Sequence, residues 1–363
     1  MKRVNFLCLV MLGLFFTACH SNDDTWGDWS RSFSFGGKPR TGAVTFTLNK
    51  VVYVGLGRNN DVEEQDKNLK DFWKFENNAW TPVASFPGAG RYGAVAFVVN
   101  VGGKEMAYVG TGYREYQGNE TYYDDFYTFD GTTWSTTPVT KLPKPADRVD
   151  GGRRDAVAFS LNGKGYIGTG MTSGAQVLND FYSFDPTKAE GSQWTVSGFN
   201  GDPRSGAVAF VVKGKAVVCL GASGNAYRYD VNVFDGTSWV QKAPLRDLDG
   251  RSWDNDYARI PRTNAVAFIS SKNGGIEKGY IATGSGSYNR TCWEYNVDTD
   301  RWDEVTELPA AMSTRVFAIA FTLNDYGYVT TGGSNVGYPG DVDTWKFTPG
   351  IDEDDNNDYS PNE

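Results

Sequence analysis

Residues 91–97 read RYGAVAF. The phrase returns along the chain with small changes: RTGAVTF from Arg40, RRDAVAF from Arg153, RSGAVAF from Arg204, RTNAVAF from Arg262 and RVFAIAF from Arg315. The first alanines stand at 43, 94, 156, 207, 265 and 318, so successive copies are 51, 62, 51, 58 and 53 residues apart. An internal period in this range marks a repeat architecture, in which one supersecondary unit recurs.

Each copy continues in the same order. An apolar run closes on a glycine: Gly57, Gly112, Gly170, Gly221, Gly284 and Gly332. A variable loop follows, then an aromatic run such as DFWKF, DFYTFD or DTWKF. A tight turn leads in five copies to a tryptophan: Trp80, Trp134, Trp194, Trp239 and Trp302. FDGTTW and FDGTSW carry the Asp-Gly pair that tolerates the positive φ of a hairpin turn. Four short strands per unit joined by hairpins, in a period near 50, predict an all-β, six-bladed β-propeller with four antiparallel strands per blade.

The arginine entry, the run ending in glycine, the aromatic strand and the late tryptophan together resemble kelch repeats over about residues 29–348. The galactose-oxidase-type propeller is the wider relative. The usual kelch double glycine is mostly Thr-Gly or Leu-Gly here, with a true pair only at Gly332-Gly333. The sixth unit lacks its tryptophan strand. Trp29 stands eleven residues before Arg40, as Trp80 stands eleven before Arg91. The N-terminal segment is therefore expected to supply the last outer strand, near residues 28–35, and to close the ring without a free edge. In Ala94-Val95-Ala96-Phe97 the alanines share one strand face and Val and Phe the other. Small against large is expected to let neighbouring blades interdigitate near the axis.

The ends read differently. Lys2 and Arg3 precede an apolar stretch, Phe6 to Phe16, that is short for a membrane span. FTAC, ending at Cys19, resembles the lipobox of bacterial lipoproteins, with Phe16 where that family usually has Leu. The following HSNDD resembles the acidic export signal of surface lipoproteins in Bacteroidetes-type bacteria. The expected organisation is a signal peptide at 1–18, a lipid tether at 19–27 acylated on Cys19, a propeller at 28–349 and a disordered acidic tail at 350–363. The expected location is the bacterial outer membrane, lipid-anchored and surface-exposed. The net charge is −9, and the tail alone holds six acidic residues and no basic one. No basic cluster speaks for nucleic acid. Cys219 and Cys292 lie in apolar runs and read as buried free thiols.

If the innermost strands begin at the repeated phrase, Arg40, Arg91, Arg153, Arg204, Arg262 and Arg315 would ring one mouth of the channel. The kelch resemblance implies arginines that look toward this mouth, and a planar guanidinium can hold a carboxylate bidentately. The competing reading is that each arginine pairs within the fold and holds blades together. Loops at the same end carry Tyr113, Tyr116, Tyr122 and Tyr123, then Tyr227, Tyr288 and Tyr338. The longest, LRDLDGRSWDNDYARIP at 245–261, carries Trp253 and Tyr257. The expected ligand-binding set is thus the six arginines with Trp253, Tyr257, Tyr113 and Tyr288.

His20 is the only histidine and lies beside the tether. A Ser-His-Asp triad and a histidine-held copper or zinc site in the propeller are therefore excluded. No Gly-rich phosphate loop opens a helix, so nucleotide chemistry has no support. No cofactor or metal is expected. Carboxylates remain for acid–base work: Glu115, Glu120, Asp147, Asp150, Asp155, Asp202, Asp254 and Asp256 fall in loops at that end. Three functions compete. The first is a non-catalytic module that binds a glycan or protein. The second is an enzyme, since the architecture resembles the sialic acid mutarotase (N-acetylneuraminate epimerase). The third is a scaffold subunit of an outer-membrane complex.

Overall fold

The computed structural model describes residues 26–146, 148–247, 256–312, 315–340 and 342–352. Six antiparallel four-stranded sheets follow one another around a central channel. The first blade is Val44–Leu48, Val51–Gly55, Phe72–Glu76 and Ala79–Val83, from the axis outward. The last is Ile319–Leu323, Tyr326–Thr330, Thr344–Asp352 and Trp26–Ser32. The fold expected from the repeat is therefore the fold observed.

Ring closure is made by chain ends, as expected, with shifted bounds. The closing strand runs over Trp26–Ser32 rather than 28–35, and its partner reaches Asp352. Trp26 is therefore part of the last blade and not of a tether, and the blade extends past residue 349. Trp29 sits opposite Phe347, with ring centres 4.7 Å apart, and its indole N–H donates to the Thr306 carbonyl of the fifth blade. In the second blade the outermost strand is Thr140–Lys141, and Trp134 precedes it in an isolated bridge to Phe129.

Small-against-large packing accounts for the repeated phrase. Val44, Phe46 and Leu48 of the first blade pack against Ala94, Ala96 and Val98 of the second. Val95, Phe97 and Val99 pack in turn against Ala156 and Ala158 of the third. The same arrangement recurs at every boundary, down to Ile319 and Phe321 against Ala43. Strand alternation puts the two sets on opposite faces, so each innermost strand presents bulk to one neighbour and a recess to the other. A side chain at Gly165 would collide with Phe97 of the preceding blade, its Cβ standing 2.2 Å from a ring carbon.

Trp29→Ala is expected to destabilise the protein by about 3–5 kcal/mol, the usual cost of emptying a buried tryptophan site. Urea unfolding followed by circular dichroism measures it. An unchanged midpoint would mean that the terminal strand does not close the ring.

Candidate functional site

The six repeated arginines do not line the mouth. Five are 0% exposed and Arg315 is 7% exposed. Each reaches across its own blade to the start of the third strand, where an aspartate waits in five of six blades. Arg40 meets Asp71 at 2.6 Å, Arg153 meets Asp180 at 2.8 Å, and Arg91, Arg204 and Arg315 pair with Asp125, Asp230 and Asp343. In the first five blades the guanidinium also donates to the carbonyl that ends the second strand, at 3.0–3.3 Å (Leu56, Thr111, Thr169, Leu220, Thr283). The backbone carbonyl of every arginine accepts the N–H of the repeated glycine in the preceding blade. Gly57 donates to Arg91, Gly112 to Arg153, Gly170 to Arg204, Gly221 to Arg262, Gly284 to Arg315, and Gly332 to Arg40 across the closure. These six bonds measure 2.7–3.0 Å and complete a circle.

The expectation that this ring receives a ligand is corrected on physical grounds. A guanidinium buried against its own carboxylate is closed off from a ligand in the channel, and exposing it would strand the carboxylate. Burial alone would raise the Asp71 and Asp180 carboxyls, but Arg40 and the Arg153–Arg148 pair hold both below the usual carboxylate range. Tyr257 is likewise structural: it is 4% exposed, and its hydroxyl donates to the Trp302 carbonyl and accepts the Trp302 N–H, each at 3.0 Å. Trp253, Asp147 and Asp254 lie outside the described residues, as does Cys19. Tyr288 is exposed beside Arg259, whose guanidinium lies 5.1 Å from its ring centre.

The fifth blade breaks the rule. Thr291 replaces the aspartate, and Arg262 donates only to neutral oxygens, including the Ile260, Thr283, Thr291 and Arg259 carbonyls and the Thr291 hydroxyl. Burial pulls the Arg262 pKa down to about 10. Trp293 donates its indole N–H to the Thr291 hydroxyl, where Trp73 and Trp345 donate to Asp71 and Asp343.

The true mouth is made by the residue just before each first alanine: Gly42, Gly93, Asp155, Gly206, Asn264 and Phe317. All six have φ between 53° and 63°. Glycine or Asn/Asp suits that region, and Phe317 is the outlier. Five of their N–H groups donate to the neighbouring mouth carbonyl, Gly42 to Phe317, Gly93 to Gly42, Asp155 to Gly93, Gly206 to Asp155 and Asn264 to Gly206, at 2.8–3.0 Å. Below them a channel of about 200 Å³ runs between the alanines of the innermost strands.

Above them sits a second tier, and it is lopsided. Each blade pairs the residue after its arginine with one just past its glycine. In the first three blades these pairs are Thr41–Arg58, Tyr92–Tyr113 and Arg154–Met171. In the last three they are Ser205–Ala222, Thr263–Ser285 and Val316–Gly333. Charged and aromatic side chains therefore concentrate on one half, with Tyr92 and Tyr113 buried. Arg58 and Arg154, from the first and third blades, flank Tyr92 of the second, their guanidinium carbons 5.7 Å and 5.9 Å from its ring centre. Arg154 also lies 5.4 Å from the ring of Tyr113. Arg58 donates to Asn60 at 2.8 Å and stands 3.7 Å from Glu115. Arg154 donates to Asp155 at 2.5 Å, and the Tyr113 hydroxyl donates to Glu120 at 2.7 Å. Burial raises the Asp155 carboxyl, against the pull of Arg154, and pushes the Tyr92 hydroxyl up to about 12.

Of the expected ligand-binding set only Tyr113 falls in this cluster, joined by the loop residue Tyr122, whose ring centre lies 4.8 Å from that of Tyr113, and by the candidate carboxylates Asp155, Glu115 and Glu120. Arg58, Tyr92 and Arg154 were not foreseen. Their signal was present: Arg154 and Tyr92 interrupt a position that is otherwise Thr, Ser or Val in the repeat. Among the described residues no group of three His, Cys, Asp or Glu is placed to hold a metal ion. Cys219 and Cys292 are buried free thiols.

This arrangement defines a six-bladed propeller with an asymmetric channel mouth. The chain belongs to the Kelch-repeat family: the model described as the KLHDC2/KLHL20/DRC7 Kelch-repeats domain matches residues 41–244. No curated protein matches the chain. Among solved structures, that of YjhT is similar, with 18% identity and a TM-score of 0.62, covering 86% of this chain and 95% of that one. That likeness is one of fold.

Two outcomes are expected of the clamp. Arg204→Ala should cost about 3–5 kcal/mol, because it leaves the buried Asp230 carboxylate without its cation. Thr291→Asp should raise the unfolding free energy by about 1 kcal/mol or more, by giving Arg262 and Trp293 the acceptor that other blades have. Both are read from urea midpoints, and a destabilised Thr291→Asp protein would show that the fifth blade is built to exclude a carboxylate. The depressed carboxyls of Asp71 and Asp180 give stability that is present above the unfolded-state pKa of about 3.9 and lost as pH falls through their lower folded values. Asp180→Asn should therefore flatten the loss of stability below about pH 4.

Proposed function

We propose that this protein is a lipid-anchored binding module at the bacterial outer membrane that holds a carboxylated glycan at the charged half of its channel mouth. The observation that carries this reading is the placement of Arg58 and Arg154 on either side of Tyr92. Neither arginine belongs to the clamp that recurs in every blade. Both sit at the rim with part of the side chain exposed, 13% for Arg58 and 22% for Arg154, where a guanidinium fork can meet an acid group while the buried Tyr92 ring holds the two apart. The anchor is supported by the lipobox-like FTAC and its acidic sequel.

A second reading is favoured by Asp155. Its carboxyl is raised by burial, stands at the mouth and touches Arg154. A carboxyl with a raised pKa can exchange a proton with the anomeric hydroxyl of a bound sugar, which is the chemistry of a mutarotase. The resemblance to the sialic acid mutarotase points the same way.

A screen of the mature protein against neutral and acidic sugars tests the first reading. Arg58→Ala and Arg154→Ala are each expected to weaken binding of an acidic sugar at least tenfold, about 1.4 kcal/mol, and to leave any neutral sugar unaffected. Acidic-sugar binding that survives both changes would overturn it, and binding to a protein partner alone would favour the scaffold reading. The second reading predicts faster anomer exchange by NMR with the wild type and none with Asp155→Asn. Exchange at the uncatalysed rate in both would dismiss the enzyme.

A further inference from the structure

In the last blade the third strand ends, and the outermost strand begins, far from the mouth. Thr344 follows the clamp residue Asp343 at the mouth end, so the strand Thr344–Asp352 finishes at the opposite end, with Trp26 across from Asp352. Trp26 and Ile351 are 48% and 44% exposed there. The turn between the two inner strands of the fifth blade reaches the same corner. A Cβ on Gly350 would stand 2.9 Å from the Asn273 Cα, and the N–H of Ile276 donates to the Asn273 carbonyl. Ile276 is 42% exposed. Three large apolar side chains are thus brought to one edge, which is unusual on a soluble surface where such residues scatter singly.

The sequence says what lies nearby. Cys19 stands seven residues before Trp26, at most about 25 Å of fully extended chain. A lipid on Cys19 would hold this corner, more than any other part of the propeller, close to the bilayer. Tryptophan is the side chain most at home at headgroup depth, and isoleucine contributes by apolar burial. Charge around the corner is mixed. Lys272 and Lys346 each hold their ammonium 4.1 Å from the Tyr326 ring centre, Asp352 is exposed, and Asp23 and Asp24 precede Trp26 in sequence. With both signs present, contact would rest on apolar burial and not on attraction to anionic lipid.

We propose that Trp26, Ile276 and Ile351 rest in the headgroup region of the bilayer that carries the Cys19 lipid, so that the channel mouth faces away from that membrane. This rests on the lipoprotein reading above. It gives the Arg58–Tyr92–Arg154 rim open access to ligands arriving from the medium.

The test uses the full-length chain, processed in a bacterial host and purified with its lipid, in phosphatidylethanolamine vesicles that contain an acyl-chain quencher. Ile276→Cys and Tyr338→Cys each receive an environment-sensitive fluorophore; Cys219 and Cys292 are fully buried and do not compete. Tyr338 marks the mouth end, since Gly337 beside it donates to Thr41. The expected result is blue-shifted emission from position 276, quenched several-fold more than at 338. Water-like emission from both positions in a chain that floats with the vesicles would overturn the orientation, as would stronger quenching at 338. A chain that does not float, and whose intact mass lacks acyl chains, would overturn the lipoprotein reading and take the orientation with it.

Discussion

The architecture turns on one group, the arginine that opens each blade. Its carbonyl takes a hydrogen bond from the glycine of the blade before, while its guanidinium gathers the second and third strands of its own blade. One residue therefore ties three strands in two blades. Burying six cations would be prohibitive without acceptors, because an isolated buried charge costs several kcal/mol even after relaxation. The fold meets that demand with oxygens from strand ends whose carbonyls have run out of ladder partners. The orphaned main-chain groups at the mouth and the buried charges satisfy one another. The glycine is needed at the junction because its φ, 83–103° in the six copies, lies where a side chain is strained.

Much of this was legible in the sequence. Spacing of the phrase, the glycine that ends the second strand and the Asp-Gly turns specify blade count, strand order and hairpins. The eleven-residue offset of Trp29 from Arg40 specifies the closure. These features are legible because they depend on local periodicity and on backbone demands that few residues meet. Of the two readings of the arginine, the ligand-facing one fails and pairing within the fold holds, for a physical reason. A charge near a channel entrance is read as exposed unless its partner is seen, and the partner lies 26–34 residues away: Asp71 for Arg40, Asp125 for Arg91, Asp230 for Arg204. That aspartate does stand just before each aromatic strand, except where Thr291 replaces it. Pairing two repeated columns, arginine and aspartate, would have revealed the clamp without coordinates.

The mouth was harder to read because it is defined by departures from the repeat. Gly42, Gly93 and Gly206 satisfy the left-handed position cheaply, while Asp155, Asn264 and Phe317 occupy the same backbone state. Asn and Asp tolerate that state, but a bulky Phe does so only at some strain. Its presence places an aromatic edge at the mouth opposite Asp155 in blade order. The five N–H to carbonyl bonds that join these positions are indifferent to side chains, so the backbone can be preserved while the lining varies.

The same logic extends to the tier above. The residue between each arginine and its mouth residue pairs through its main chain with the strand beyond the glycine: Tyr92 N–H to the Tyr113 carbonyl and back, Arg154 to Met171, Ser205 to Ala222. This main-chain pairing does not depend on which side chain the residue carries. Evolution can therefore place Thr, Tyr, Arg, Ser, Thr and Val there in turn without disturbing the ring. Under the proposed binding reading, recognition falls to positions whose main chain is fixed by symmetry and whose side chains are free to vary. Arg154 and Tyr92 satisfy that condition, and Arg58 satisfies it from across the same bridge pattern. The buried arginines, whose side chains the symmetry itself consumes, do not.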